Sequence, residues 1–247
     1  MINNNQKGGK KAGKKKGGFA IVFGLLLLCG ALSLTGYNYW DGIRAERASA
    51  LIQEKLDDVL KDMDLTAAPM GKKDNSGEVD ERVLLPDSVS IGNAYKVPEM
   101  PVITIDGYDY IGTLEIPSLN LRLPVMDHWD YERLKISPCR YSGSYFTGDL
   151  VICAHNYQRH FSPVKTMDLN ESVYFITADK VVYEYIVSNR QTVQPTAIEE
   201  MIDNRNNSRQ KGEEEDWDLT LFTCNTGGQT RCAVRCVRNV KKSTLKR

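Results

Sequence analysis

The chain has 247 residues, 41% of them apolar and 26% charged, which fits a globular protein able to bury a real core. Formal net charge is zero, yet Lys7, Lys10, Lys11, Lys14, Lys15 and Lys16 crowd the first 18 residues without one acidic partner; removing them leaves 26 basic against 32 acidic residues. A basic tail can bind nucleic acid, but this one abuts an apolar segment, so no nucleic-acid partner is expected.

Phe19 to Trp40 carries no charge for 22 residues. At about 1.5 Å per residue that is the thickness of a bilayer core. Tyr37, Tyr39 and Trp40 suit an aromatic belt at one interface, and the lysines suit the other. The positive-inside rule then leaves the N-terminus in the cytoplasm and everything after Trp40 outside. A cleaved signal peptide is the competing reading, but Ala31-Leu-Ser is a weak cleavage site and the apolar run outlasts a usual signal. Either way the main domain works outside the membrane.

Asp41 to Met63 reads as a helix, with Ala45, Ala48, Ile52, Leu56, Val59 and Met63 on one narrow stripe. It is a membrane-proximal stalk or a helix packed on the domain. Ala67 to about Met100 turns to Pro, Gly, Ser, Asp and Lys, the composition of a linker. From Val102 the pattern is β. Thr113 to Val125 holds two alternating runs broken at Pro117, and Thr147 to His155 is a turn feeding a strand that ends at a histidine. Val173–Thr177 and Val181–Val187 flank Ala178-Asp-Lys, a hairpin-like connection. Thr196–Ile202 is a short helix before a charged loop ending Glu213-Glu-Glu-Asp216. Seven or eight strands with little helix suit a barrel or sandwich.

Leu219-Thr-Leu-Phe-Thr-Cys224 and Arg231-Cys-Ala-Val-Arg235-Cys-Val-Arg238 read as two strands joined through Gly227-Gly228. In the second, Arg231, Ala233 and Arg235 share one face, and Cys232, Val234 and Cys236 the other. Cys232 and Cys236 are therefore core candidates, and at about 13 Å apart along a strand they are too distant for a disulfide. With Cys29 in the apolar segment, five cysteines remain outside, an odd number, and none forms a C-x-x-C pair. Neither a disulfide scaffold nor a metal site is expected, and no cofactor.

A thiol at one strand end beside a guanidinium at the next is a plausible nucleophile with an anion-stabilising partner, or else a hairpin with a buried cysteine. A cysteine nucleophile wants an imidazole. His128 sits in a polar loop, His155 ends an apolar strand, and His160 competes with it on spacing. Arg235 competes with Arg231 from the same face.

Three motifs in order carry a resemblance. Leu219–Cys224 looks like the T-L-x-T-C strand end of the sortase family, the cysteine transpeptidases of Gram-positive cell surfaces. Arg231–Arg235 looks like its arginine-led following strand. Gly148-Asp-Leu-Val-Ile-Cys-Ala-His155-Asn-Tyr resembles its strand ending at the histidine, with Ala154 where glycine is often found. The likeness covers about Val102 to Lys242. It implies a mainly β fold, an eight-stranded sortase-type β-barrel with short helices, preceded by a transmembrane helix and a helical stalk. The expected layout is a basic cytoplasmic tail (1–18), transmembrane helix (19–40), extracellular stalk (41–66), linker (67–101) and catalytic domain (102–247).

The resemblance further implies that Cys224 attacks a peptide carbonyl in a C-terminal sorting motif of a surface protein. His155 protonates the leaving amine and Arg231 steadies the oxyanion. An amine from a cell-wall precursor or a pilin lysine then resolves the thioester. Thr223 and Asn156 are the candidates for substrate binding. Calcium at the acidic loop is the weaker reading beside a solvated charge run. The helical stalk and the segment Gln194 to Trp217 lean towards a class B-like plan. The rival readings are an anchored cysteine peptidase that hydrolyses without ligating, and a non-enzymatic β-domain that binds a partner.

Overall fold

The computed structural model describes residues 15–66, 98–202, 217–239 and 244–245. Most of the basic tail and of the expected linker, and the acidic loop Glu213–Asp216, lie outside the described residues. The fold divides into two units at Ile43/Arg44. Helix α1 (Lys15–Thr66) contributes to both. Its first part, from Phe19 to Trp40, leaves Phe19, Leu26, Leu34 and Trp40 exposed, and the helix is long and apolar enough to cross a membrane.

In the second unit, ten strands among the described residues form one sheet: β1 (Ile103–Ile105), β2 (Tyr108–Ile116), β3 (Leu121–Met126), β4 (Cys139–Ser142), β5 (Leu150–Cys153), β6 (Ser172–Thr177), β7 (Val181–Val193), β8 (Leu219–Cys224), β9 (Arg231–Arg238) and β10 (Thr244–Leu245). Eight of them close into a barrel in the order β2-β3-β4-β5-β8-β9-β7-β6, with β6 pairing back onto β2. β1 extends β2, and β10 extends β7. Closure satisfies every sheet edge within the ring, which an open sheet of this size would have to cover otherwise. At the closing seam, a side chain on Gly112 would meet the Ile176 carbonyl at 2.1 Å, so the approach of β2 to β6 requires glycine.

The expected barrel is the observed one. The differences lie in the short strands and in one long one. β1, β4 and β10 are too short to leave an alternation in the sequence. β7 runs six residues past Val187 to Val193, because β9 supplies hydrogen-bond partners as far as Val193↔Arg231.

Two apolar layers follow from the alternation of strand side chains. The barrel interior holds Leu150, Ile152, Leu219, Leu221, Cys232, Val234 and Cys236 among others. The outer layer holds Val151, Cys153, Phe222 and Ala233, covered by Ile52 and Leu56 of α1, Leu134 of α2 (Tyr131–Leu134) and Met201 of α3 (Ile198–Ile202). Because β5 and β8 are buried on both faces, they read as near-continuous apolar runs.

The part of α1 beyond Arg44 packs on the barrel. Ala45, Ile52 and Leu56 are buried as the stripe predicts, whereas Val59 and Met63 are exposed. Polar Ser49 and Gln53 share the buried face instead. Gln53 Nε2 donates to Thr113 Oγ1 at 3.2 Å, which satisfies an amide that burial would otherwise penalise. Around this face, Arg122 pairs with Asp57 and Glu115, Lys55 with Asp106 at 2.7 Å, and Arg159 with Glu46 at 3.2 Å.

Candidate active site

The pairing of β5 with β8 is parallel, Leu150↔Leu219 through Cys153↔Phe222. Parallel neighbours end at the same rim, so His155 just beyond β5 and Cys224 at the end of β8 arrive together. β9 is antiparallel to β8 and therefore starts where β8 stops, with Cys224 and Arg231 directly paired. Both lie on the outer face, since Cys232, Val234 and Cys236 take the interior. Three residues from three strands thus converge through strand direction alone.

They line one cleft of about 180 Å³. Its floor is Cys153, Ala154, Phe222 and Thr223. Trp129, Tyr131, Leu134 and Tyr141 form one side, and Pro195, Ile198 and Met201 the other. Cys224, His155 and Arg231 are each half-buried. Thr223 is almost fully buried, and its hydroxyl donates to the Ala154 carbonyl at 2.9 Å, while Ala154 N–H donates to the Phe222 carbonyl at 3.3 Å. This pair of bonds fixes the chain that leads into His155 against the chain that leads into Cys224. Asn156 does not line the cleft, and its side-chain oxygen accepts from Lys165 Nζ at 2.6 Å.

The loop from Asn225 to Thr230 is closed on itself. Asn225 N–H donates to the Thr230 carbonyl at 2.9 Å, and its side chain to the Thr230 hydroxyl at 2.8 Å. Gly227 and Gly228 turn the chain at φ of 84° and 71°, a region that penalises other residues. Arg231 Nη1 donates to the Gly228 carbonyl at 3.0 Å and the Thr230 carbonyl at 3.3 Å, so its guanidinium rests on the loop beside Cys224.

The rival residues have other occupations. Arg235 is fully buried, donates to the Met201 carbonyl at 2.8 Å, to Thr220 Oγ1 at 2.7 Å and to the Glu200 carbonyl, and lies 4.4 Å over the Trp217 ring. It ties the end of α3 to the barrel. His160 is fully buried, and neither ring nitrogen closes a hydrogen bond of good geometry, although the Ala45 backbone lies within reach. Burial pushes its pKa down to about 4. Tyr157 stands between the two imidazoles, 5.0 Å from the His155 ring and 5.5 Å from that of His160. His128 is exposed and pairs with Asp127 at 2.8 Å.

Burial also raises the other thiols: Cys153, on the cleft floor, to about 12, and Cys139, Cys232 and Cys236 upward as well. A thiol held protonated is a poor nucleophile. Tyr141 escapes a sequence reading, because β4 is too short to show that it faces outward. Among the described residues, no group of three or more His, Cys, Asp or Glu is placed to hold a metal ion.

A sortase-domain family model matches residues 114–239, just over half of the chain and all three of these strand ends. The chain belongs to the sortase family. Sortases are cysteine transpeptidases, and this one carries the family domain on the barrel described above. Similar solved structures include sortase C from Clostridium perfringens SM101, at 24% identity and a TM-score of 0.41 over 53% of this chain and 70% of that one. Sortase A from Corynebacterium diphtheriae is 20% identical with a TM-score of 0.45, over 53% of this chain and 61% of that one. The Clostridium perfringens sortase C structure with the C-terminal cell wall sorting motif is 24% identical with a TM-score of 0.43, over 53% and 71% of the two chains. No curated protein sequence matches this chain.

Proposed function

We propose that this sortase cleaves a C-terminal sorting motif of surface proteins through a thioester on Cys224 and passes the acyl group to an amine. The observation that carries the reading is the convergence of Cys224, His155 and Arg231 at one rim, by the parallel β5–β8 pair and the Cys224↔Arg231 pairing. The Cys224 thiolate attacks the scissile carbonyl carbon, and the oxygen takes up negative charge. Arg231 leaves its two hydrogen bonds to the loop carbonyls and donates to that oxyanion, with help from backbone N–H groups at the strand end. As the C–N bond breaks, the His155 imidazolium gives its proton to the departing nitrogen. A second amine then attacks the thioester, His155 takes a proton from it, and the Cys224 thiolate leaves as the new amide forms. Thr223 lines the cleft floor, where it holds the two strand ends together through its bond to the Ala154 carbonyl and meets the substrate.

The motif-bound relative supports a sorting-motif peptide as substrate class. The apolar helix from Phe19 to Trp40, behind a lysine-rich tail, supports a single-pass anchor with the N-terminus in the cytoplasm and the barrel outside. In this layout 1–18 is the tail, 19–40 the span, 41–66 a stalk that docks on the barrel, 67–101 a linker and 102–247 the catalytic domain. The natural acceptor is an amine of the cell wall or of a pilin.

The test is intact mass spectrometry of the full-length protein with candidate sorting peptides, with and without an added amine. The reading expects an acyl adduct on Cys224, absent from Cys224→Ala, that converts to amide product when amine is present. Water as the sole effective acceptor would make the protein a peptidase. Reaction unaffected by Cys224→Ala would sink both.

A further inference from the structure

Cys224 separates two unlike sides of the cleft. Beyond β9 the side is aliphatic, with Pro195 following β7, and Ile198 and Met201 on α3. Beyond β5 it is aromatic. Phe222 meets Tyr141 of β4 edge-on at 5.2 Å, Tyr141 stacks on Trp129 at 5.2 Å and 26°, and Trp129 meets Tyr131 edge-on at 6.0 Å. The run starts in the outer core and ends in solvent, where Trp129 is 39% and Tyr131 72% exposed. A ring as exposed as Tyr131 adds little to folding, and contiguous exposed aromatics beside a nucleophile suit recognition, since a rigid ring loses little entropy on binding.

The chemistry decides what meets this side. In acyl transfer at Cys224, the oxyanion points toward Arg231 on β9, and the nitrogen toward His155, which donates or accepts its proton. His155 follows β5, and β4 lies beyond β5, carrying Tyr141 on which Trp129 stacks. The amine therefore enters over the aromatic side. No carboxylate lines the cleft among the described residues, so its aromatic side offers rings as the contact surface.

We propose that Trp129, Tyr131 and Tyr141 form the acceptor subsite, binding the residue that follows the nucleophilic amine and favouring a ring or branched apolar side chain at that place. This rests on the acyl-transfer reading of Cys224. The step it governs breaks the thioester C–S bond and forms a C–N bond; the amine proton goes to His155 and the electron pair stays on the Cys224 sulfur.

The test uses full-length protein in detergent micelles, acetylated on Cys224 with p-nitrophenyl acetate and freed of excess ester. The acetyl-enzyme is divided between Gly-Gly-amide and Gly-Phe-amide, which offer the same nucleophile and differ only in the following side chain. Wild type should prefer Gly-Phe-amide by roughly 3- to 10-fold, the range of one aromatic contact. Trp129→Ala and Tyr131→Ala should each bring that ratio close to one. The ratio is taken within each variant, so a change in overall reactivity cancels, and Tyr131 is too exposed for its loss to unfold the domain. Aminolysis with no preference in wild type, or a preference that survives both substitutions, overturns the subsite and leaves the acyl-transfer reading standing. Hydrolysis alone with either amine overturns the acyl-transfer reading, and the subsite with it.

Discussion

The rim of the cleft and the layers behind it hold the same three functional groups. At the rim stand a thiol, an imidazole and a guanidinium: Cys224, His155 and Arg231. Behind it stand Cys153, His160 and Arg235, each buried. The buried set shows what the barrel does to these groups when they serve structure. Burial keeps the Cys153 thiol protonated and the His160 imidazole neutral, and backbone carbonyls surround Arg235. The rim set has the same chemistry, and each of its members is only half-buried. Position within the sheet therefore separates members of the same residue type by burial.

The sharpest separation should come from the thiols. Cys224→Ala should lower acyl transfer by at least about 10⁴-fold, as loss of a nucleophile does, with no change in Tm. An alkylating reagent at neutral pH should modify Cys224 in the folded barrel, and Cys139, Cys153, Cys232 and Cys236 only after unfolding. Peptide mapping after labelling reads this directly; equal labelling of Cys153 and Cys224 would break the comparison.

The arginines should divide between activity and stability. Arg231→Ala should reduce kcat by about 10²–10³-fold at unchanged Tm, the effect of removing one oxyanion donor. Arg235→Ala should cost about 3–5 kcal/mol of stability, through the carbonyls and the Thr220 hydroxyl left unpaired and the volume lost beside Trp217. Urea denaturation of both variants, alongside kcat, tells the two roles apart. Arg235→Ala with full stability would mean that α3 is held by other contacts.

The histidines should divide by pH. The folded-state pKa of His160 lies near 4, below the 6.5 of a free imidazole. As pH falls from 6.5 toward 4, the unfolded chain takes up a proton that the folded barrel refuses. Stability contributed by burying neutral His160 is therefore present above pH 6.5 and lost on the way to pH 4, by about 3 kcal/mol in all. Denaturation midpoints across this range should decline less steeply in His160→Leu than in wild type. Parallel slopes would show that His160 is not the group responsible. The smallest effect expected is that of Thr223→Val, about 1 kcal/mol for the lost bond to the Ala154 carbonyl, measured by thermal unfolding.

Much of this was legible in the residues. The alternation of Arg231, Ala233 and Arg235 against Cys232, Val234 and Cys236 places the two sets on opposite faces of β9, and the barrel keeps that division. The end of an apolar run marks His155 and Cys224, because a strand buried on both faces has to end where a polar side chain can reach solvent. What a linear reading leaves open is the task of the other residue in each pair. Alternation puts Arg231 and Arg235 on one face; the family resemblance and a place nearer the turn favour Arg231, and the fold adds that α3 folds over Arg235. His155 and His160 lie five residues apart, and one of them disappears beneath α1 near Ala45.

By itself, then, the sequence determined the β architecture, the apolar segment at the N-terminus and the three motifs, since each rests on local periodicity or on spacing along the chain. The tertiary structure alone decided the rest: that β5 and β8 run parallel, that Tyr141 of β4 and Trp129 from the loop before α2 stack in the cleft that holds Cys224, and that Thr223 clamps one strand end to the other. These depend on which strands become neighbours when the barrel closes. Contacts between residues as far apart as Ala154 and Thr223 arise from that closure, and no local pattern in the chain encodes them.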